Sequence, residues 1–357
     1  MTIVGLMSGT SLDGLDIALC RFENLGSSYS YKVYKAATIE YSEVWKKTLH
    51  SAKDATAENY FALNHEYGAF IAEQVNEFLK GCSEKPDAIA SHGHTIFHRP
   101  GSGFSTQLGS GATIAAKTGI TTVCDFRSLD VANEGQGAPL VPIGDKLLFA
   151  EYDACLNIGG IANISFDNKK GERIAFDICF ANMTLNYLAE KLGLSYDENG
   201  SIAASGTVNQ NLLSEIQKTL FVNEKFSLAR EQFETMLLPI LEGENLSIEN
   251  KLATFCDYIA LEITDTLKSS SLKKVLITGG GAFNKHLIRK ISQHYDGEII
   301  IPDNETIQFK EALIFAFLGY LRLQEKVNTL KSVTKAKSDS IGGAVYLGTR
   351  TFFKDFS

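Results

Sequence analysis

The sequence predicts an α/β protein of two lobes, each a mixed sheet flanked by helices, with a ligand cleft between them. Three short apolar runs separated by turns precede helix–strand units, which implies antiparallel strands followed by parallel ones. That series occurs twice, once at the start of the chain and again from about residue 153. Each copy opens on a hairpin whose turn carries glycine, Ser8-Gly9-Thr10 in the first and Gly159-Gly160 in the second. Two such units imply a cleft, where ligands preferentially bind.

In the first copy, 2–7 and 14–22 read as strands because both are short and apolar, and 31–40 because Tyr31-Lys32-Val33-Tyr34-Lys35 alternates. Residues 58–80 read as a helix, with Phe61, Phe70, Ile71, Val75, Phe78 and Leu79 at helical spacing. A strand at 87–90, a short helix at 109–118 and a strand at 121–124 follow, then a loop near 134–142. The second copy reads as strands 153–158, 161–166 and 172–176, helices 181–192 and 249–269, strand 274–277, helix 283–295, strand 298–301 and helix 306–323. The less patterned stretch 200–248 reads as an insertion at the rim. The expected lobes are 1–140 with 335–357, and 141–334.

At 357 residues and 44% hydrophobic content, the chain is long enough for two cores. Its net charge of −8 leaves no basic footprint for nucleic acid or an anionic membrane. Any phosphate site must then be built locally, from backbone amides, a few cations and metal. Cys20, Cys82, Cys124, Cys155, Cys179 and Cys256 form no CxxC pair and read as buried reduced thiols. The start lacks a basic leader region, and the longest apolar run, 312–321, falls short of a membrane span. The expected location is the cytoplasm, and a homodimer is the one macromolecular partnership left open.

The turn Met7-Ser8-Gly9-Thr10-Ser11-Leu12-Asp13-Gly14-Leu15-Asp16 concentrates two glycines, three hydroxyls and two carboxylates at a hairpin tip. Glycine lets a backbone approach a ligand, and successive N–H groups make an anion site. Asp13 and Asp16 suit a hydrated Mg²⁺ arriving with a phosphate. An ordinary polar hairpin tip is the alternative. Lys274-Val275-Leu276-Ile277-Thr278-Gly279-Gly280-Gly281-Ala282-Phe283-Asn284 is a strand, a glycine turn and a helix start. It leaves room for a planar base or ribose, while tight strand–helix packing accounts for it as readily. No GxxxxGK[ST] occurs and no GxGxxG follows a strand, so the P-loop and dinucleotide fingerprints are excluded.

Residues 7–16 are similar to the MSGTSLDGxD signature of the anhydro-N-acetylmuramic acid kinases, of the actin and sugar-kinase superfamily. The resemblance continues through Ser91-His92-Gly93-His94-Thr95, Asp125-Phe126-Arg127, Gly135-Gln136-Gly137-Ala138-Pro139-Leu140-Val141-Pro142 and Asn157-Ile158-Gly159-Gly160-Ile161-Ala162-Asn163. It also takes in Gly279-Gly280-Gly281 with Asn284, and Glu311-Ala312. It implies two actin-like (ribonuclease H-like) lobes closing on ATP with Mg²⁺. The reaction it implies opens the 1,6-ether of a cell-wall sugar and phosphorylates its O6. The implied ATP and phosphate residues are Gly9, Thr10, Ser11, Leu12, Asp13, Gly14, Leu15, Asp16, Gly159, Gly160, Gly279, Gly280, Gly281 and Asn284, with Asp13 and Asp16 holding metal through water. The implied substrate residues are Ser91, His92, Gly93, His94, Asp125, Arg127, Asn182 and Glu311. Phe176-Asp177-Ile178-Cys179-Phe180-Ala181-Asn182 matches an FDTGPxN-like motif, which makes Asp177 the base that takes a proton from water. Read alone, Asp177 would equally suit a helix N-cap.

Some positions depart from that pattern. Ile178-Cys179-Phe180 replaces Thr-Gly-Pro, a change expected to reshape the sugar pocket; Lys335 stands where glycine is common, and His94 where glutamine is usual. His92, His94 and His98 admit a metal reading, because an H-x-H pair on a strand faces one side. Zinc sites need three or four supported ligands, and no Cys or acidic partner lies nearby, so pocket lining is the better reading. Arg127 suits the carboxylate of a muramic acid by bidentate pairing. Glu311 reads as opening an apolar helix, where the dipole favours it, and the resemblance adds a sugar hydroxyl contact. Two alternatives to this kinase remain: a nucleotide-regulated, non-catalytic actin-like binding protein, and a kinase of a related anhydro-sugar.

Overall fold

In the computed structural model, which describes residues 1–9, 12–26, 28–220 and 228–349, backbone pairing builds two mixed sheets. The strands in chain order are β1 (Thr2–Ser8), β2 (Gly14–Asn24), β3 (Tyr29–Glu40), β4 (Ala88–Arg99), β5 (Phe104–Leu108), β6 (Thr121–Cys124), β7 (Ala154–Ile158), β8 (Ile161–Asp167), β9 (Arg173–Phe180), β10 (Lys274–Thr278), β11 (Glu298–Ile300) and β12 (Ala344–Tyr346). Among the described residues the first sheet runs β12-β6-β4-β1-β2-β3 with β5 on β4, and the second β11-β10-β7-β8-β9. In the first, β3, β2 and β1 are antiparallel and β4 and β6 continue in parallel. In the second, β9, β8 and β7 are antiparallel and β10 and β11 continue in parallel. The repeated series and the mixed α/β class are as the sequence predicts.

The first unit comprises Met1–Leu148 and the chain from Phe309 on, the second Phe149–Gln308. Residues 141–148 and 309–334 therefore belong with the first unit, where the sequence placed them in the second lobe. The cause is packing. Helix Asn304–Leu323 lies so close to β1 that a Cβ on Gly5 would meet the Ala312 carbonyl oxygen and, at 2.8 Å, Ala316. Helix Val141–Leu148 is tied to it by the buried pair Lys310–Asp145 at 2.8 Å. Thr10, Ser11 and the end of the chain from 350, part of the expected first lobe, lie outside the described residues.

Helix Ala57–Phe78 starts at Thr56, whose side chain accepts from the Asn59 amide, and buries Leu63, Tyr67, Ile71, Val75 and Phe78. Phe61, assigned to that face, is exposed. Helix Ile248–Ser269 is capped likewise by Ser247 and buries Leu252, Phe255, Ile259 and Ile263. β4 extends to Arg99 rather than stopping at residue 90, because β5 pairs with it from His94 to Arg99. The stretch 200–248 is more than a rim: helices Gln210–Leu220 and Leu238–Gly243 put Leu212, Ile216 and Leu241 into the second core. The six cysteines are free thiols. Among the described residues no helix is long and apolar enough to cross a membrane.

Because the β1 backbone meets the helix without room for a methyl group, Gly5→Ala is expected to destabilise the first unit by about 1–3 kcal/mol. Urea unfolding followed by fluorescence measures this. An unchanged midpoint would show that the helix backs away without cost.

Candidate functional site

The first turn is set by pairing of β1 with β2, which places Met7 opposite Asp16 and Ser8 opposite Leu15. Leu12 has φ 62° and donates its amide to the Gly9 carbonyl at 3.4 Å. Gly14 and Leu15 serve the sheet: a Cβ on Gly14 would press on the Ile39 carbonyl at 2.6 Å, and the Leu15 side chain is in the core. Thr10 and Ser11 lie outside the described residues. The carboxylates carry the charge. Asp16 Oδ1 accepts from Thr38 Oγ1 at 2.6 Å. Burial raises the Asp16 carboxyl above its ordinary value, Thr38 opposes this, and Asp13 adds to it. Glu311 is raised by desolvation and then by Asp16, against Lys310 and Arg127. It sits well inside helix Asn304–Leu323, so the helix dipole does not account for its place. Among the described residues, no three His, Cys, Asp or Glu side chains converge as direct metal ligands.

The histidines do not form one cluster. Arg127 donates from Nε and Nη2 to His92 Nε2 at 3.2 and 2.8 Å, so the His92 proton resides on Nδ1 and goes to the Gly93 carbonyl at 2.8 Å. Burial, then Arg127, holds His92 well below its ordinary pKa. A Cβ on Gly93 would collide with the Leu108 carbonyl oxygen. His94 belongs to another chain of groups. Tyr41 donates to Ser8 Oγ at 2.7 Å and takes its own bond from Tyr67 at 2.5 Å. The Ser8 proton is then left for His94 Nδ1 at 2.9 Å, which puts the His94 proton on Nε2. Desolvation pushes His94 down to about 4. His98 faces Ser105 Oγ at 3.1 Å. Ser91 Oγ is buried without a hydrogen-bond partner among the described residues.

Asp125 and Arg127 also part company. Asp125, exposed and at φ 56°, accepts from Ser128 Oγ at 2.6 Å and opens the short helix Ser128–Ala132. Arg127 turns inward and donates from Nη1 to the Gly137 carbonyl at 2.5 Å. Desolvation lowers it to about 10, against Glu311, so it stays charged at neutral pH.

In the second unit, the β8–β9 register shifts so that Ala162 pairs with Cys179 and Asn163 with Asp177, leaving Ile178 as a bulge. Asp177 Oδ2 accepts the Leu228 amide at 2.8 Å. The N-cap of helix Asn182–Glu190 is Ala181, with no side-chain cap, so capping is not the role of Asp177. The Gly159–Gly160 turn holds that helix start instead: Gly160 O accepts from Ala181 and Met183, and Gly159 O from Asn182, at 2.9–3.1 Å. Asn182 Nδ2 reaches Ile158 O at 3.2 Å, so its side chain locks the turn. The glycine run divides. A Cβ on Gly279 would meet Asn157 Oδ1 at 2.5 Å, and one on Gly281 would collide with Ile158, so packing explains both, whereas Gly280 is exposed. Asn284 caps helix Lys285–His294 by accepting from Leu287 N at 3.0 Å. Cys179 and Phe180, expected to reshape a sugar pocket, lie in the second core.

Buried histidines held below their ordinary pKa give stability a definite pH dependence. Between 6.5 and about 4 the unfolded chain binds protons that folded His94 refuses, and His92 acts in the same direction. Stability is therefore expected to fall as pH drops through that window. Urea midpoints measured across it should slope less steeply in His94→Gln. An unchanged slope would show that His94 titrates normally.

A family model described as anhydro-N-acetylmuramic acid kinase matches residues 1–348. A relative from Francisella tularensis subsp. novicida (strain U112), named anhydro-N-acetylmuramic acid kinase, is 35% identical over 96% of this chain and 97% of its own. One of the same name from Saccharophagus degradans is 35% identical over 96% and 98%. Among solved structures, the chain aligns with an activator of 2-hydroxyisocaproyl-CoA dehydratase from Clostridium difficile with bound ADPNP, at 14% identity, TM-score 0.46 and coverage of 91% and 96%. It aligns also with a ROK family glucokinase from Streptomyces griseus in complex with glucose and AMPPNP, at 9% identity, TM-score 0.39 and coverage of 89% and 99%. These structural likenesses are distant, whereas the sequence match is specific and spans nearly the whole chain. The chain belongs to the anhydro-N-acetylmuramic acid kinase family.

Proposed function

We propose that this chain is an ATP-dependent kinase that opens the 1,6-anhydro ring of anhydro-N-acetylmuramic acid with water and phosphorylates O6. The product is N-acetylmuramic acid 6-phosphate. The observation that carries this reading beyond family membership is the carboxylate of Asp177, re-aimed by a bulge beside the Gly159–Gly160 turn and not spent on capping a helix. In a 1,6-anhydro sugar O6 is tied up in an ether, so a phosphoryl acceptor must first be released. Asp177 takes a proton from water as the water oxygen bonds to C1, the C1–O6 bond breaks, and O6 bonds to the γ-phosphorus as ADP leaves.

The remaining roles follow from chemistry. Gly9, Leu12 and Asp13 supply the phosphate turn, together with the exposed glycines Gly160 and Gly280. Asp16, whose raised carboxyl lies near those of Asp13 and Glu311, fits a site short of positive charge. Asp13 and Asp16 would hold hydrated Mg²⁺, which when bound neutralises phosphate charge. His92, His94 and Glu311 line the sugar site, and Arg127 takes the lactyl carboxylate. A binding protein without turnover is the weaker reading, because the matching family model and the relatives carry the name of a kinase.

Asp177→Asn is expected to lower kcat by about 10²–10⁴-fold with little change in ATP affinity, since an amide cannot accept the proton. Steady-state kinetics with calorimetry for ATP checks it; a variant within tenfold of the parent would remove Asp177 from that role. By mass spectrometry the product should equal substrate plus one phosphoryl group plus one water. Phosphorylation without added water would identify an ordinary sugar kinase.

Asp16→Ala is expected to raise the Mg²⁺–ATP requirement about tenfold or more while leaving the sugar KM within about twofold. Equal loss toward both substrates would assign the turn to the sugar.

A further inference from the structure

The run Gly135-Gln136-Gly137 has no part in the reaction above, yet it adjoins the guanidinium assigned to substrate. Asp130, on helix Ser128–Ala132, is fully buried. Its Oδ2 accepts the Gly137 amide at 2.7 Å, and its Oδ1 accepts from Thr334 Oγ1 at 2.7 Å. Thr334 is itself fully buried, and its carbonyl accepts the Gln136 amide at 2.8 Å. Gly137 has φ +66°, where a Cβ would also press on Val131 at 2.7 Å, so only glycine suits the position, and the hydrogen bonds to Asp130 and Thr334 hold the peptide. A Cβ on Gly135 would collide with Asp130 Oδ2. A buried carboxylate is costly unless its lone pairs are met, and here hydrogen bonds from the loop and from Thr334 meet them.

The Gly137 carbonyl fixed this way is one of two acceptors that aim Arg127; the other is His92 Nε2. Together they engage one hydrogen each on Nε, Nη1 and Nη2. One hydrogen remains on each terminal nitrogen, so the guanidinium keeps charged donors for a carboxylate. We propose that Asp130, acting through the Gly137 peptide, is the positioning residue that presents Arg127 to a carboxylate-bearing sugar and so sets preference for acidic over neutral substrates. This rests on the assignment of Arg127 to the lactyl carboxylate. Asp130 is fully buried behind the Gly137 peptide and acts through it. Its effect is geometric, and a shift of the Gly137 carbonyl would turn the guanidinium away from the direction these two acceptors set.

The test measures kcat/KM for anhydro-N-acetylmuramic acid and for its lactyl carboxamide, as a ratio, in the full-length protein. Asp130→Ala is expected to lower the acid-to-amide ratio 10- to 100-fold, mostly through KM for the acid, with KM for ATP within about twofold. Asp130→Asn should restore the ratio to within about threefold of the parent. Its oxygen can accept from Gly137 while its amide donates to Thr334 Oγ1, which turns its own hydrogen to Leu330 O, 3.3 Å away. Equal losses for acid, amide and ATP in Asp130→Ala would make the role merely structural and overturn the proposal. Should that variant not fold, Thr334→Val serves, with an expected drop of two- to fivefold; an unchanged ratio would overturn the proposal as well. Arg127→Ala separates the two claims. If it leaves the ratio unchanged, the assignment of Arg127 fails and takes the proposal with it. If it collapses the ratio while Asp130→Ala does not, only the positioning role fails.

Discussion

Backbone brought closer to backbone than a Cβ permits is the constraint on which both units depend. In the first, β1 meets helix Asn304–Leu323 at Gly5, opposite the Ala312 carbonyl, while a Cβ on Gly319 of that helix would come within 2.5 Å of the Ala90 Cβ on β4. Those contacts fix the helix on the two central strands, and Glu311 precedes Ala312 directly. The carboxylate that shares a field with Asp16 and Arg127 is thus positioned by a glycine far from it in sequence. In the second unit the same device operates at Gly279 and Gly281 against Ile158, which brings the end of β10 onto the glycine turn after β7. A methyl group at these contacts would open a gap that the remaining apolar surface cannot close without strain.

Given that scaffold, the charges of the first site are arranged by keeping histidines neutral. A protonated His92 would repel Arg127 and lose the lone pair that orients it. As a neutral ring it is an acceptor, and the guanidinium keeps its charge. His94 is fixed in the opposite tautomer by a hydroxyl chain from Tyr67 through Tyr41 and Ser8, and so offers a donor. Two histidines two residues apart thereby present opposite hydrogen-bonding characters. Gly93 between them lets the strand turn away from simple alternation, with the β1–β4 register shifting from Leu6–Ser91 to Ser8–His94.

Much of this was legible in the sequence. The strand at 121–124, the helix at 249–269 and the repeated strand series follow from apolar periodicity, because each buries a face that neighbours in sequence define. What periodicity does not carry is pairing at a distance. β4 continues through the histidine motif only because β5 lies beside it, and the bulge at Ile178 exists only through the register of β8. Asp130 and Thr334 are joined across most of the chain, and neither sits in a pattern that announces the other. The glycine run at 279–281 read equally as packing or ligand approach. Packing accounts for Gly279 and Gly281 while Gly280 is exposed, and only the neighbouring atoms separate them.

The departures around Asp177 illustrate how position in the sheet decides what a substitution does. Read along the sequence, Ile178-Cys179-Phe180 adjoins the base and invites a changed pocket. Cys179 and Phe180 instead point into the second core, where Phe180 packs on Phe233 with ring centroids 5.9 Å apart. The Cys179 thiol is pushed well above its ordinary pKa by burial, so it remains a neutral filler and not a nucleophile. Apolar residues of larger volume here can be accommodated by repacking against helix Ile248–Ser269 and the helices of 200–248, which also lie on that core. The bulge at Ile178 then isolates the carboxylate from those changes, because it breaks the alternation that would otherwise tie the direction of Asp177 to that of Cys179. A divergent core sequence is in this way compatible with the role proposed for Asp177, and under that proposal specificity falls to the first unit, where Arg127 and the two neutral histidines carry the hydrogen-bonding pattern.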